Sequence, residues 1–480
     1  GIGEWEETPV FTIGETINGY TPPGIPDGMG AWDRGDYVQI LANHELRSGL
    51  GYPYTLANGT MLTGARVSSF LLDKDTREIV DGGPAYSVIY NRAGDEVTMF
   101  NPLDSSSAIG LNRLCSAGYV AAGQAGFVDD IFFTGEETGG GTEFVLDVAN
   151  EALYAAPWLG VAAWESVALL EGSFNRTHVA ILVGDDRGAA PLLLYVGEKQ
   201  RGGDFLESNG LATGKLYVWV ADSGETTPEQ WNGTGSSRSG KFVEIDYYRP
   251  DLADNGDYDA LGFATQEMQD ALAEAAGAFE FSRPEDLHTN PANGRGKQVV
   301  LASTGRAQLF PSDTWGTTYI VNVKINKGRI KNDNITATLD VIYDGDDAGA
   351  GQFPHPDFGL RSPDNLVWSD DGYIYLQEDR STVARVPKDP AGCAVADDEA
   401  DCLANAFGGA SGEEASMWQM DPKTGMLKRI AQIDRTAVPT DQIDTDPLDL
   451  GDWETSGVID VSNLFDADDD ETLLFYNVQA

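Results

Sequence analysis

Basic residues are scarce in this chain: 31 lysines and arginines stand against 77 aspartates and glutamates, a formal net charge of −46. A surface so poor in cations disfavours nucleic-acid binding and docking on anionic membranes, both of which need a basic face. No run of about 18 apolar residues occurs, so no segment reads as a membrane-inserted helix. Histidine is rare as well. His44, His178, His288 and His355 show no HxxxH or HxH spacing, which argues against a histidine-rich zinc site. Neither a GxSxG elbow nor a Walker loop is present, and serine-hydrolase and nucleotide-hydrolase readings lose support accordingly. Cysteine is limited to three positions. Cys393 and Cys402 bracket the acidic loop CAVADDEADC, which reads as a local disulfide made in an oxidising compartment, and Cys115 is left over.

Apolar residues make up 41% of the chain and include ten tryptophans, ample for a large core, so the chain is not disordered. Short runs rich in β-branched and aromatic residues (YVQILAN, DIFFTG, HVAILVG, PLLLYVG, KLYVWVAD, TTYIVNVKI) alternate with Gly, Asp, Asn and Pro clusters. That pattern predicts strands joined by tight turns. NLVWSDDGYIYLQED, with its Asp-Gly turn, reads as a hairpin. Only Thr265 to Phe279 has helical spacing and helix formers.

The expected fold is therefore all-β. Length favours a single β-propeller of about six blades over residues 1–480, at roughly 40 residues per blade plus loop insertions and one short helix. Residues 1–35 are expected to pack on the propeller as an extension, and 390–412 to form an acidic insertion. A jelly roll with appended domains is the structural alternative. The chain starts at Gly1 without Met, as expected of a processed secreted chain or a trimmed one. With the cysteine pair, this points to an extracellular, cell-surface or periplasmic location. Asn58, Asn175, Asn232 and Asn334 are glycosylation acceptors only in a host that glycosylates.

Acidic motifs recur at the ends of the strand-like runs: NHE (Asn43 to Glu45), TGEE (Thr134 to Glu137), WES (Trp164 to Ser166), GDD (Gly184 to Asp186), RPED (Arg283 to Asp286), PDN (Pro363 to Asn365), QED (Gln377 to Asp379) and WETSG (Trp453 to Gly457). Taken alone, each is a solvated turn carboxylate, and most of the acids form a solubilising coat. Strand ends near a propeller axis line a channel mouth, however. Carboxylates converging there repel unless they protonate or bind cations, and such donors favour calcium, iron or manganese. The runs DGDD (Asp344 to Asp347) and DADDDE (Asp466 to Glu471) lack the EF-hand glycine and terminal glutamate and read as solvated turns.

The order of these motifs, together with NRLCSA, PWLGVAAWESV, VAILVGDD, LLLYVGEK, FSRPED, SPDNL and LLFYNVQA, resembles the PhoX-type alkaline phosphatase family over about residues 38 to 480. The resemblance implies a six-bladed propeller with an axial di-iron centre and calcium ions that hydrolyses small phosphate monoesters. It matches Cys115 to a bridging thiolate, and Glu136 or Glu137, Glu165, Asp185 or Asp186 and Glu285 to acidic ligands. Arg283 matches a phosphate-binding arginine, and Glu45, Asp364, Asn365, Glu378 and Glu454 fall to calcium or to support of the ligands. His44 is the histidine expected to reach the site. Two other readings stand beside the phosphatase: a non-catalytic, calcium-stabilised propeller with a surface, adhesive or filament-forming role, and a propeller hydrolase of another ester. The sequence is compatible with self-assembly and does not specify it.

Overall fold

The computed structural model describes residues 1–98, 110–292, 294, 296–325, 335–379, 414–434, 437–438, 443, 453–465, 467 and 471–479. The expected Cys393–Cys402 bridge, the 390–412 insertion and Asn334 lie outside the described residues.

Strands gather into six groups, each meandering outward from an innermost strand. The innermost strands are Pro26–Asp33, Leu114–Val120, Ala162–Leu169, Pro284–Thr289, Pro363–Trp368 and Glu454–Asp460. Each touches the next in that order, and the sixth touches the first, so the ring closes. The chain is a six-bladed β-propeller. Blades one, three, four and five each have four antiparallel strands; the second adds Val88–Tyr90 in parallel at its outer edge. Two strands, Glu454–Asp460 and Leu474–Gln479, form the described part of the sixth. Ser237–Ile245 pairs with the outer strands of both the third and fourth blades, which joins them into one sheet. The first and last blades are tied where Asn477 Nδ2 donates to the Asp27 carbonyl at 2.6 Å.

Closing blades face to face buries both sides of nearly every strand, so the sequence shows apolar runs instead of in-out alternation. In HVAILVG, Val179 to Val183 are all fully or almost fully buried. Six apolar clusters result, one for each junction between neighbouring blades. Leu41, Val67, Phe132 and Phe144 fill the first junction, and Ile181, Tyr195, Phe133 and Val145 the second. The others centre on Trp219 with Val299, Ile320 with Trp368, Tyr375 with Val458, and Ile40 with Phe475.

The helix lies at Gln266–Ala276, capped by the Thr265 hydroxyl, which accepts from Met268 N at 3.3 Å, and ended by Gly277 in the left-handed region. The extension expected over 1–35 is shorter. Residues 1–25 pass over the fifth, sixth and first blades, with Trp5 edge-on to Tyr375, and Pro26 already opens a blade. The DGDD turn is not simply solvated either. Asp344 is buried and accepts from Gly233 N and Asp346 N at 2.9 and 2.8 Å.

Candidate metal centre

One device repeats in all six blades. Where the innermost strand pairs with its neighbour, the register breaks at the same end: between Pro26 and Met29, Leu114 and Ala117, Trp164 and Val167, Pro284 and Leu287, Pro363 and Leu366, and Ser456 and Val458. A β-bulge re-aims the side chain it holds. In or beside each bulge stands one ligand-type residue: Asp27, Cys115, Glu165, Glu285, Asp364 and Glu454. The second strand of a blade supplies others: Glu137 from within the strand, and Glu45, Asp186 and Asp379 from the residue just past its end. The polar residue after a bulge acid often locks onto the next blade. The Ser166 hydroxyl accepts from Leu287 N at 2.7 Å, Asp286 Oδ2 from Leu366 N at 2.7 Å, and Asn365 Oδ1 from Gly457 N at 3.0 Å. Gly457, at φ 52°, has no room for a side chain: a Cβ there would lie 2.3 Å from the Asp27 carbonyl oxygen.

Among the described residues the result is four trios of donor atoms, each trio within 4.8 Å: Asp27, Glu45 and Cys115; Cys115, Glu137 and Glu165; Glu165, Glu285 and Asp364; Asp364, Asp379 and Glu454. Neighbouring trios share a corner, and the charge of Glu45 reaches Glu454, so the chain of trios bends back towards its start. Burial comes first among the forces that hold protons on these groups. It raises Asp27 to about 7, aided by Glu45, and Glu285 to about 8 against the opposing pull of Arg283. Glu137, Glu165, Asp364 and Glu454 are raised well above the usual range by burial and then by the charge of neighbouring acids: Glu45 for Glu137, Glu285 for Glu165 and Asp364, and Asp379 for Glu454. The Cys115 thiol, which donates to Asp27 Oδ2 at 3.4 Å, is pushed up by burial and by the surrounding acids.

Two arginines face the trios. Arg283 grips Asp186 with Nε and Nη2 at 2.5 and 2.7 Å, has Nη2 2.8 Å from Glu285 Oε1, and reaches Asp379 with Nη1 at 3.4 Å. Burial opposes ionisation of Asp186, yet the Arg283 guanidinium outweighs it and holds that carboxyl below the usual range. Arg113 bridges Glu45 and Glu137.

The structure thus brings Cys115, Glu137, Glu165, Glu285, Glu45, Asp364 and Glu454 together, with Arg283 and Asp186 beside them. It does not bring in five others that the sequence nominates. Glu136 turns the opposite way from Glu137 along its strand and accepts from Asn112 N at 3.0 Å. Asp185 is saturated by Ala163 N and the Arg187 fork. Asn365 links Ser116 to Gly457. Glu378 is buried against Arg361, Ser416 N and Trp418 Nε1. His44 bonds the Gly24 carbonyl and the Ser68 hydroxyl, and burial depresses it to about 3, a neutral packing residue. Sequence reasoning missed Asp27, hidden in a Pro-Asp-Gly that reads as a turn, and Asp379, one place beyond the residue chosen. It also missed Gln479, whose amide donates to Asp27 Oδ2 at 2.7 Å and Glu45 Oε2 at 3.3 Å.

Because Arg361 and Glu378 are both fully buried, removing one partner strands a charge. Arg361→Met is expected to cost about 3–5 kcal/mol in denaturant unfolding, with the metal content of the folded protein unchanged.

The donor set fits hard or borderline cations. Eight carboxylates and a thiol face two guanidiniums, and Asp27 Oδ1, Glu165 Oε2 and Asp364 Oδ1 are buried with no hydrogen-bond partner. Such orphaned oxygens are satisfied by cations or by protons.

No curated protein matches the sequence. Among solved structures, Pseudomonas fluorescens PhoX in complex with vanadate, a transition state analogue, matches with a TM-score of 0.56 at 16% identity, covering 91% of this chain and 81% of that one. A GH43_1 enzyme from Xanthomonas citri follows at a TM-score of 0.31 and 10% identity, covering 87% and 94%, too distant to carry an argument. The family model described as alkaline phosphatase PhoX matches residues 150–437. That span exceeds half of the 480 residues, and the chain belongs to the PhoX family of alkaline phosphatases.

Proposed function

We propose that this protein is a secreted, metal-dependent phosphomonoesterase whose cations are held by the corner-sharing trios, iron about Cys115 and calcium among the outlying carboxylates. The observation that carries the reading is convergence: all six innermost strands bring one ligand-type side chain to the donor trios, five from within the bulge and Glu454 from two residues before it, beside Arg283. Cys115, Glu137, Glu165 and Glu285 would hold the transition metals, and Asp27, Glu45, Asp364, Asp379 and Glu454 the calcium. Cations there would supply Lewis-acid polarisation of the phosphoryl group and an activated water at neutral or alkaline pH.

The chain's own residues do the rest. Asp186 fixes the plane of the Arg283 guanidinium bidentately, which leaves Nη1, only loosely engaged by Asp379, as the donor to a phosphoryl oxygen. Gln479 donates to Asp27 and Glu45 and orients both. Screening over about 8 Å at physiological salt keeps the remote acidic surface from repelling an anionic ester.

The test is elemental analysis of purified protein together with hydrolysis of an aryl phosphate at alkaline pH. We expect calcium, at least one transition metal per chain, and turnover. Fully metallated protein that hydrolyses no phosphate ester would leave the calcium-stabilised scaffold in its place. Calcium without any transition metal would remove the iron assignment.

A further inference from the structure

Arg113 is placed as no bystander would be. It immediately precedes the innermost strand of the second blade, two residues before Cys115, and its backbone is pinned from both sides: Arg113 N donates to the Leu46 carbonyl at 2.8 Å, and its carbonyl accepts from Glu137 N at 2.7 Å. Its φ is 51°, the left-handed region that a non-glycine residue enters only when its surroundings enforce it, and such positions concentrate at functional sites. The side chain then reaches across the first two trios. Nε donates to Glu137 Oε2 at 2.9 Å, and Nη2 contacts Glu137 and lies 2.6 Å from Glu45 Oε1.

The two arginines differ in what they have left to give. The Arg283 side chain is 8% exposed and all three of its nitrogens contact carboxylates. Arg113 is 32% exposed, and among the described residues its Nη1 makes no hydrogen bond. With Nε and Nη2 committed to Glu137 and Glu45, the guanidinium is held in place and Nη1 is left as a positioned, charged donor for an oxyanion. It stands over the trios that share Cys115, whereas Arg283 stands by those that contain Glu285 and Asp379.

We propose that Arg113 is a second phosphate-binding residue, taking a non-bridging oxygen of a phosphomonoester beside the trios that share Cys115. This rests on the phosphatase reading. Its alternative is that Arg113 only neutralises Glu45 and Glu137.

The experiment compares Arg113→Gln, Arg113→Lys and the unaltered protein, all metal-loaded, for aryl phosphate kinetics, calorimetric binding of inorganic phosphate, and metal count. For Arg113→Gln we expect KM and the phosphate dissociation constant to rise about 10–100-fold with metal count unchanged. Arg113→Lys should recover part of the loss, since charge returns without the planar guanidinium that Glu45 and Glu137 hold in place. Unchanged phosphate affinity in Arg113→Gln overturns the proposal, and so does a loss fully explained by lost metal. The two readings fail separately. Unaltered protein that binds inorganic phosphate through Arg113 yet hydrolyses nothing ends the phosphatase reading and keeps the anion site. Unaltered protein that binds no phosphate ends both.

Discussion

Arg283→Ala is expected to lower phosphomonoester turnover about 10²–10³-fold, the scale for losing one preorganised donor to developing charge, while metal content and fold remain. Glu285→Ala is expected to fail differently, losing metal as well as turnover. The contrast follows from where the two side chains lie. Glu285 is a corner of the trio with Glu165 and Asp364, so removing it takes away a donor atom that no neighbour replaces. Arg283 belongs to no trio; it leans on Asp186 and on Glu285 from outside. Truncating Arg283 also leaves Asp186 buried without its partner, so some loss of stability accompanies the kinetic effect in thermal unfolding. Metal counts and turnover measured on the same samples decide between the roles. If turnover survives Arg283→Ala, the reaction class stands and Arg283 has no part in it. If Glu285→Ala keeps its full complement of metal, the trio is not a metal site.

Much of this was legible in the sequence because apolar runs, turn clusters and acidic strand ends are local features. The helix is a clear case, with Thr265 and Gly277 marking both ends in the order that capping chemistry requires. The sixfold repeat was not legible. What repeats is a bulge and one polar side chain, and that side chain is Asp, Cys, Glu, Glu, Asp and Glu in turn, within strands whose apolar residues follow no common pattern. Adjacent acids were the other limit. In TGEE and QED, consecutive side chains point to opposite faces of the strand, so pairing register decides which one meets the axis. Register put Glu137 and Asp379 there and gave Glu136 and Glu378 to structural contacts. Pro-Asp-Gly at Pro26 to Gly28 carries every mark of a turn, yet it opens the first innermost strand. Glycine is required there because a Cβ on residue 28 would lie 2.1 Å from Ala117 N of the neighbouring blade.

Stripping the metals is expected to lower the melting temperature, and to lower it more at pH 8.5 than at pH 5.5. Ions bound only by the folded chain stabilise it by mass action, about 2.7 kcal/mol for each cation held at about 100 times its Kd. At an unfolding entropy of about 2.1 cal/mol/K per residue, a chain of 480 residues loses about 3 °C per cation. The pH dependence comes from the proton-holding acids. In the metal-free fold Asp27 titrates at about 7 and Glu285 at about 8, raised by burial in both and by Glu45 and Asp186 respectively. Unfolded, they titrate at about 4. A carboxyl raised on folding contributes stability that is fully present below its unfolded value and is lost as pH climbs through its folded value. Metal-free protein should therefore be most stable on the acid side, where protons stand in for cations, and should weaken as pH rises from about 4 to about 8. Metal-loaded protein escapes that decline, because cations displace the protons and bind more tightly as pH rises. Scanning calorimetry of loaded and stripped samples at the two pH values tests both halves. An unchanged melting temperature after verified metal removal would count against a shared axial site, and a larger loss at pH 5.5 than at pH 8.5 would mean that these carboxylates do not hold the metal.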